Sequence, residues 1–315
     1  AAEIVNAAVQ EDAQAVAITS YQGGHLEFFR YVRRLLDEAG ASHVKIFGGG
    51  GGTILPAEAE ELEESGIERI YTPDDGRALG LQGMIDDLLA RADFSVVDDA
   101  ALDPADLSVA EPRLLGRMIS AVEQESDGTL AAAAHAAAAA TATPIIGMTG
   151  TGGAGKSSLI DEIVVRYLAD FPERTIGIVS VDPSRRRSGG ALLGDRIRMN
   201  SVSDPRVFMR SLATRQANLA LSPHVASAVD LVKAAGYDLV VLTTIPAEES
   251  EDGAGSDPKF DLGVCVSGEL LRRGIAVDYM DVPAADADQP SAQYLAALPV
   301  QEILAADADV RPFWS

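Results

Sequence analysis

The stretch that decides the fold is GTGGAGKS, residues 150–157, which fits the pattern G-x-x-x-x-G-K-[ST] at every fixed position. The apolar run TPIIGMTG (143–150) precedes it, and KSSLIDEIVVRYLADF (156–171), which has helical spacing, follows it. Between a strand and a helix, the backbone N–H groups of such a loop and the helix N-terminus together bind phosphate. The sequence therefore predicts a phosphate-binding loop in an α/β domain with a parallel sheet and flanking helices.

The residue types of this loop assign roles within the phosphate site. We expect Lys156 to contact the β and γ phosphates and the Ser157 hydroxyl to ligate Mg²⁺. The next apolar run, TIGIVSVD (175–182), predicts a strand that ends at Asp182, a natural direct or water-mediated Mg²⁺ ligand. Lys156 and Asp182 are thus the expected catalytic residues. The expected nucleotide-binding residues of the loop are Gly152, Gly153, Ala154, Gly155, Lys156, Ser157 and Ser158.

Charge and composition exclude several classes of function. The net charge of −23 argues against nucleic-acid or anionic-membrane partners, which require clustered Lys and Arg. The single cysteine, Cys265, excludes an intramolecular disulfide and a four-thiolate metal site. The only long apolar tract, 129–146, is interrupted by His135 and Pro144, and the first residues lack the basic region of a signal peptide. We expect an acidic, cytoplasmic protein of two domains.

Basic residues are concentrated beside the predicted phosphate site. Eight of the 25 Lys and Arg residues fall between Arg185 and Arg215. Their position suggests charge complementarity to a nucleotide or to an acidic partner. For Arg185 to Arg187 a solvated loop is the alternative interpretation.

The first ninety residues alternate between helical and strand patterns. Strands are predicted at AVAITSY (15–21), HVKIFGG (43–49) and RIYTP (69–73), with helices between them and a closing helix at 78–92. This rhythm is typical of a parallel sheet covered by helices. A doubly wound sheet usually has five strands, so three strands predict a truncated flavodoxin-like (Rossmann-like) domain.

Two glycine clusters follow the first two of these strands. They are SYQGGH (20–25) and GGGGGT (48–53), and both lie where open α/β sheets bind ligands, at the carboxyl ends of strands. Five successive glycines carry a conformational cost that a plain turn does not require, which favours close approach of the backbone to a bulky ligand. A flexible connector without a ligand is the alternative.

The run VQEDAQAVAITSYQGGHLEFFRYVRRLLDEAGASHVKIFGGGGGTILPAE (9–58) resembles the second half of the cobalamin-binding domain of adenosylcobalamin-dependent acyl-CoA mutases, and most of all the fused isobutyryl-CoA mutases. The resemblance implies that Ser20 packs beside the dimethylbenzimidazole tail and that Gly48 to Gly52 let the nucleotide tail lie against the sheet. The cobalamin-binding residues that it implies are Ser20, Tyr21, Gly23, Gly24, Gly48, Gly49, Gly50 and Gly51.

The cobalamin site that this resemblance implies is incomplete. The family's D-x-H-x-x-G motif, whose histidine is the lower axial ligand of cobalt, does not occur in these residues. Neither His25 nor His43 has that context, and we expect both to be surface or loop residues.

Residues 93–143 differ in composition from the segments on either side. An acidic, turn-rich stretch is followed by a helical pattern at 113–126 and by the alanine tract TLAAAAHAAAAATAT (129–143). Because alanine has the highest helix propensity, this tract is able to form a helix without a packing partner. We expect a linker here and a solvent-exposed His135 within it, and the fused mutases have a comparable helical connector.

The segment TIGIVSVDPSRRRSGGALLGDRIRM (175–199) resembles switch I of the GTPase chaperones that serve methylmalonyl-CoA and isobutyryl-CoA mutases. The resemblance implies that Asp182 and Asp195 hold the magnesium sphere and that Arg198 approaches the nucleotide. The metal-binding residues assigned in this way are Ser157, Asp182, Asp195 and Thr244.

The chain departs from the GTPase family at two motifs. Where the family has Glu-Thr-x-Gly, this chain has Thr243, Thr244, Ile245 and Pro246, so a carboxylate and a backbone N–H to the γ-phosphate are both lost. The guanine-reading N-K-x-D motif is absent, because none of the chain's asparagines precedes a lysine. The likeness is expected to end at Thr244, and 245–315 form a divergent tail that is able to complete the second sheet.

Four segments are expected: a partial cobalamin-binding domain (1–92), an acidic and Ala-rich helical linker (93–143), the N-terminal half of a P-loop GTPase domain (144–244) and the divergent tail (245–315). The resemblance implies part of a mutase that interconverts isobutyryl-CoA and butyryl-CoA, with a GTP-binding chaperone domain that gates cobalamin loading. It also implies adenosylcobalamin, Mg²⁺ and GTP as cofactors, an acyl-CoA mutase substrate domain in cis or trans as partner, and a homodimer in the intact family.

Three readings of the isolated chain stay open. No mutase chemistry is expected, because the acyl-CoA barrel is not among these residues. Binding of nucleotide without efficient hydrolysis is favoured over active GTP hydrolysis, and a P-loop ATPase or kinase of other base specificity is the third possibility. Whether the chain alone is an enzyme is left open at this point.

Overall fold

A computed structural model describes residues 1–97, 102–125, 127–149, 155–183, 194–214 and 224–244. The chain divides into two compact units, one formed by Ala1–Leu102 with Pro112–Ala121 and the other by Asp103–Glu111 with Val122–Ser315. Each unit contains a sheet of parallel strands with helices, which confirms the predicted α/β class. Within the described ranges, no helix is long and apolar enough to cross a membrane.

The first unit has a three-stranded parallel sheet in the order β1-β2-β3. Its elements are α1 (Ala2–Gln10), β1 (Ala15–Thr19), α2 (His25–Glu38), β2 (Lys45–Gly49), α3 (Pro56–Glu64), β3 (Arg69–Tyr71) and α4 (Pro73–Ala92). The strands pair so that Thr19 lies opposite Gly49, and Gly49 opposite Tyr71. The carboxyl ends of all three strands therefore lie at one edge of the sheet.

The core of the first unit follows from helical spacing. Phe29, Val32 and Leu36 occupy positions i, i+3 and i+7 of α2, and all three side chains are fully buried. They pack in one cluster with Ile46 of β2 and Leu62 of α3. The apolar face of α2 thus closes one side of the sheet.

Gly48 occupies a tightly packed position in this core. A Cβ atom added there would lie 2.6 Å from Cδ1 of Ile70 and 2.6 Å from the ring of Phe29, well inside van der Waals contact. At Gly23, by contrast, an added Cβ would meet nothing within 4 Å. Internal packing alone therefore requires glycine at position 48, whatever ligand the neighbouring loop binds.

Helix α4 begins earlier than the sequence pattern predicted. The pattern placed Thr72 and Pro73 in a strand, but Thr72 is the N-cap, and its hydroxyl accepts a hydrogen bond from the Asp75 backbone N–H. The Asp75 carboxylate in return accepts from the Thr72 backbone N–H at 2.8 Å. This capping box starts the helix at Pro73. Gly80 interrupts it with a positive φ of 68°.

A charged cluster ties the start of α5 to the first unit. The Arg117 guanidinium contacts the buried carboxylate of Asp12 at 2.9 Å, and a second nitrogen lies 3.2 Å from Nε2 of His43. Arginine only donates, so His43 Nε2 accepts and the ring is neutral. Burial and then the charge of Arg117 hold the pKa of His43 below its ordinary value, although Asp12 opposes them.

Among the described residues, the second unit has a four-stranded parallel sheet in the order β4-β7-β5-β6. Its strands are β4 (Ile145–Thr149), β5 (Ile176–Pro183), β6 (Val207–Thr214) and β7 (Leu239–Thr244). The other α-helices of the described ranges are α5 (Pro112–Gln124), which begins in the first unit and ends in the second, α6 (Thr129–Ala138), α7 (Lys156–Asp170), α8 (Gly194–Arg198) and α9 (Val225–Ala234).

Helix α7 covers one face of this second sheet. Its buried residues Ile160, Val164 and Leu168 pack in one cluster with alternate residues of the strands, among them Ile178 of β5 and Val241 of β7. Because strand side chains alternate between faces, positions two residues further along each strand lie on the same face. This alternation fixes which residues lie beneath the N-terminus of α7.

The alanine-rich helix α6, whose composition allows a helix without a packing partner, nevertheless has one. It packs against α9, and its residues Ala134 and Ala138 are fully buried. The small alanine side chains let the two helices approach closely. His135 lies on the exposed side, as predicted, with Nδ1 3.0 Å from the Asp230 carboxylate.

We predict that Gly48→Ala destabilises the first unit by about 1–3 kcal/mol, because the added methyl overpacks the core. The matched control Gly23→Ala changes the free energy of unfolding by less than about 0.5 kcal/mol, since its surroundings are open. Urea denaturation without added ligand measures both variants. Equal stability of the two variants would contradict the packing role of Gly48.

We predict that the first unit loses stability as the pH falls below the ordinary His43 pKa of about 6.5. The folded state holds His43 neutral, so below about pH 6.5 the unfolded chain binds more protons than the folded chain. The contribution of neutral His43 to the free energy of unfolding is therefore fully present only above that pH. His43→Gln keeps an acceptor for Arg117 but does not titrate. Denaturation midpoints between about pH 7.5 and 5.5 should fall less for this variant, and identical slopes would refute the assignment.

Candidate functional site

The candidate site of the second unit lies where α7 begins, beyond the carboxyl end of β4. Gly155 is the N-cap of α7 and has a φ of +82°, a conformation that glycine adopts without strain. Lys156 and Ser157 are the first residues of the helix. The predicted loop residues Gly152, Gly153 and Ala154 lie outside the described residues. The described part of the motif thus has the predicted strand and helix on its two sides.

Ser157 lies on the face of α7 that packs against the sheet. Ile160, Val164 and Leu168 follow it at i+3, i+7 and i+11, and all three are buried in the α7 core cluster. Ser158, the next residue, is exposed. The Ser157 hydroxyl therefore lies on the side of the α7 N-terminus that faces the sheet. The helix dipole gives this end of the helix a partial positive charge.

Three hydroxyl side chains form a lateral row across the sheet. Ser180 of β5 pairs in register with Thr243 of β7 on one side and with Ser211 of β6 on the other. The exposed fractions are 0% for Ser180, 1% for Thr243 and 8% for Ser211. Each lies two residues beyond a residue of the α7 core cluster, so the row is on the α7 face. We call these three residues the hydroxyl row.

The Thr243 hydroxyl is buried and has no hydrogen-bond partner among the residues that the structure describes. Leaving such a hydroxyl unpaired costs about 1–3 kcal/mol. Oxygen donors are the ligands that Mg²⁺ prefers, and it commonly retains several waters that need hydrogen-bond partners. The hydroxyls of Ser157 and Thr243 on one face at this edge therefore fit a hydrated magnesium ion.

The other predicted metal residues are placed by their backbones alone. Asp182 lies near the carboxyl end of β5, opposite Ala213, and Thr244 ends β7 opposite Thr149. Asp195 is in α8. The side chains of Asp182, Asp195 and Thr244 are outside the described set. Within the part of the chain that is described, no three His, Cys, Asp or Glu residues cluster as a metal site.

Helix α8 contains one predicted and one unpredicted arginine. Arg198, the predicted nucleotide contact, has an exposed side chain. Arg196 was not singled out from the sequence, but it is buried and its guanidinium donates to the Met209 carbonyl of β6. The sequence does not distinguish Arg196 from the other arginines of this basic segment. Arg196 ties α8 to β6, while the Arg198 side chain is exposed.

The sequence pattern also missed a buried ion pair. The Arg210 guanidinium of β6 donates to the Glu123 carboxylate of α5 at 2.9 Å, and both side chains are almost fully buried. Arg210 neighbours Ser211, so its side chain is on the opposite face of the sheet from the hydroxyl row. The pair anchors the end of α5 to the second unit.

In the first unit, the two glycine loops meet at the carboxyl ends of β1 and β2. The Ser20 backbone N–H donates to the Gly49 carbonyl at 2.9 Å, and an added Cβ at Gly50 would lie 2.3 Å from the Ser20 carbonyl oxygen. An added Cβ at Gly51 would lie 2.9 Å from the ring of Tyr21. Tyr21 itself is 71% exposed. Ser20, Tyr21, Gly49, Gly50 and Gly51 are thus brought together.

The remaining glycines of these loops have other positions. Gly24 has a φ of 86° and is the N-cap of α2, and Gly23 lies beside it in open space. Gly52 has a φ of 97° in the turn after β2. These positive angles explain two glycines by local backbone geometry. Gly24 and Gly52 therefore need no ligand to explain them.

The two histidines of the first unit were expected to be surface or loop residues, and His43 lies in a turn as expected, whereas His25 is neither, because it begins α2. His25 is buried, with Nε2 3.1 Å from the Glu58 carboxylate of α3 and Nδ1 3.4 Å from the Gln22 carbonyl. The Leu55 backbone N–H and then His25 hold the pKa of Glu58 below its ordinary value. His43 is half-buried against Arg117. Both rings therefore join elements of the unit.

A comparison with known protein families covers the residues of the phosphate motif. Residues 115–255 match the family described as methylmalonyl Co-A mutase-associated GTPase MeaB. The match begins within α5 and continues past Thr244, where the sequence analysis had placed the end of the likeness. The motif at 150–157 and strands β4 to β7 all fall inside it.

Longer relatives match most of the chain. The chain is 52% identical over 250 residues to a fused isobutyryl-CoA mutase of Geobacillus kaustophilus. The aligned region covers 77% of this chain and 23% of that protein. The corresponding protein of Cupriavidus metallidurans is 47% identical over 84% of this chain and 24% of its own length. The fused isobutyryl-CoA mutase of Nocardia farcinica is 49% identical over 77% of this chain and 22% of its own length.

The chain spans about a quarter of the length of these curated relatives. The matches confirm the resemblance that the sequence motifs indicated. The chain is thus similar to one section of the fused isobutyryl-CoA mutases, and its residues 115–255 match the methylmalonyl Co-A mutase-associated GTPase family.

Proposed function

We propose that the second unit binds a magnesium-bound guanine nucleotide at the N-terminus of α7. The observation that carries the proposal is the position of Gly155, Lys156 and Ser157 where β4 leads into α7, on the face of the sheet that holds the hydroxyl row. Backbone N–H groups there favour phosphate, and Lys156 supplies positive charge. The match of residues 115–255 to a GTPase family supports GTP as the nucleotide.

The magnesium ion would be held by the Ser157 hydroxyl together with Asp182, Asp195 and Thr244. When bound, it would neutralise charge on the phosphate oxygens. The residues of this chain orient the nucleotide: Lys156 contacts phosphate, and Arg198 approaches it from α8. Asp182 and Thr244 support this role by their positions near the ends of β5 and β7.

We further propose that the first unit is part of a cobalamin-binding domain of the flavodoxin-like type. The flavodoxin-like strand order is 2-1-3-4-5, and removal of its first two strands leaves three consecutive parallel strands in sequence order, as in β1-β2-β3. The exposed apolar residues Leu81, Ile85 and Leu89 repeat every four residues along α4, which is typical of a helix face that packs in a larger domain.

We propose that these residues act as a section of a carbon-skeleton mutase, as their similarity to the fused relatives supports. We propose isobutyryl-CoA and butyryl-CoA as its substrates, adenosylcobalamin as its cofactor, and a homodimer as its assembly. The second unit would act as the chaperone that gates cobalamin loading onto the mutase substrate domain. The corresponding segments are 1–92 for cobalamin, 93–143 for the connection, 144–244 for nucleotide and 245–315 for the tail.

A second candidate function is nucleotide binding without efficient hydrolysis. Thr243 favours it, because a hydroxyl occupies a buried position near the end of β7 at which the resemblance to the GTPase chaperones implies a carboxylate. Pro246 favours it as well, because proline has no N–H to donate to a γ-phosphate. The absence of N-K-x-D from the sequence keeps an ATP-binding role as the third candidate.

We predict that the protein binds Mg²⁺–GTP and that Lys156→Ala weakens binding about tenfold to a hundredfold, the loss expected for one charge-assisted hydrogen bond. Isothermal calorimetry measures the affinities for GTP, GDP and ATP. The matched control is Lys233→Ala on α9, which should change the affinity by less than about twofold. No binding by a folded protein, or equal effects of both substitutions, would refute the site.

The hydrolysis assay separates the candidate functions. Phosphate release that Lys156→Ala abolishes supports a GTPase, whereas binding without release supports the non-hydrolysing module. ATP that displaces GTP at equal concentration would favour the third candidate.

We predict that cobalamin contacts the two glycine loops of the first unit. Adding hydroxocobalamin should slow amide hydrogen exchange in 20–24 and 48–52, because these loops meet at the carboxyl edge of the sheet. Amides of α3, which lies outside the loops, provide the control. Protection confined to other segments would contradict this placement.

A further inference from the structure

The Thr243 hydroxyl is a buried polar group of the α7 face for which the described residues supply no explanation. Its Oγ1 is buried, and it has no hydrogen-bond partner within the described ranges. Valine has the same shape and would fill the same space without burying a hydroxyl. A hydroxyl retained here therefore indicates a hydrogen-bond partner other than the described protein groups.

The register of the sheet shows on which face that partner lies. Leu239 and Val241 precede Thr243 at steps of two along β7, and both pack in the cluster beneath α7. Thr243 thus lies on the α7 face, one residue from the carboxyl end of the strand. Ser157 is on the sheet side of the first turn of α7. The two hydroxyls share the face and the end of the sheet at which the nucleotide is proposed to bind.

The neighbours of Thr243 make this a neutral polar surface. Ser180 lies beside it on β5, and Ser211 lies beside Ser180 on β6, while Met148 is its neighbour on β4. None of these side chains carries a charge. A hydroxyl row both donates and accepts hydrogen bonds, which suits water molecules, whereas it does not act as a base at neutral pH.

We propose that Thr243 Oγ1 hydrogen-bonds a water of the magnesium shell, so that the hydroxyl row, instead of a carboxylate, supports the hydrated ion. This inference rests on the proposed nucleotide site. It implies that the Thr243 hydroxyl contributes to the affinity for the magnesium complex of the nucleotide and not to the affinity for the metal-free nucleotide. It also implies that the empty protein is destabilised by the unpaired hydroxyl.

The test compares Thr243→Val with Thr243→Ser in two measurements. Thr243→Val should raise the melting temperature of the nucleotide-free second unit by a few degrees, because no hydroxyl is left unpaired. It should also weaken Mg²⁺–GTP binding about tenfold, while the affinity for GTP in EDTA changes by less than about twofold. Thr243→Ser keeps the hydroxyl and should retain Mg²⁺–GTP affinity within about threefold.

The opposite signs of the two effects distinguish this role from a structural one. A lower melting temperature for Thr243→Val, or the same loss of affinity with and without magnesium, would overturn the proposal. So would unchanged Mg²⁺–GTP binding by Thr243→Val. If Lys156→Ala weakens binding but Thr243→Val does not, the hydroxyl role fails alone; if the unsubstituted protein binds no nucleotide, the proposed function fails with it.

Discussion

The alternation of side chains along the strands of the second sheet is the constraint on which the rest of this unit depends. On the face beneath α7, the strands are apolar where Ile160, Val164 and Leu168 pack on them. Two residues further along, the same face carries Ser180, Thr243 and Ser211. The change from apolar to hydroxyl side chains occurs one residue before the end of β7 and three residues before the ends of β5 and β6. Packing therefore holds α7 in place while its first turn lies over a polar edge.

The first unit uses glycine for two different purposes. Gly48 is required by the close packing of Phe29 and Ile70, whereas Gly50 and Gly51 let the two loops approach each other at Ser20 and Tyr21. The glycine cluster was predicted as a ligand-binding feature as a whole. Part of it is explained by the core, and only the loop part remains for a ligand. A sequence pattern does not separate these two roles, because both require the same residue type.

Local patterns predicted most of the elements and the place of the phosphate motif. The apolar runs before and after GTGGAGKS gave β4 and α7, since periodicity and a glycine-rich loop are local signals. Pairings between distant residues were not predictable. The ion pair of Arg210 with Glu123 and the contact of His25 with Glu58 join residues far apart in the sequence. The burial of α6 against α9 was missed for the same reason.

The central claim is that a metal-bound nucleotide occupies the edge of the sheet formed by the hydroxyl row. Paramagnetic NMR with Mn²⁺ in place of Mg²⁺ tests it directly, with threonine methyl groups as reporters. The account predicts that Mn²⁺–GTP broadens the Thr243 methyl signal far more than that of Thr143, whose hydroxyl bonds the Tyr237 carbonyl near the amino ends of the strands. Equal broadening of the two signals, or broadening by Mn²⁺ that does not depend on GTP, would contradict it.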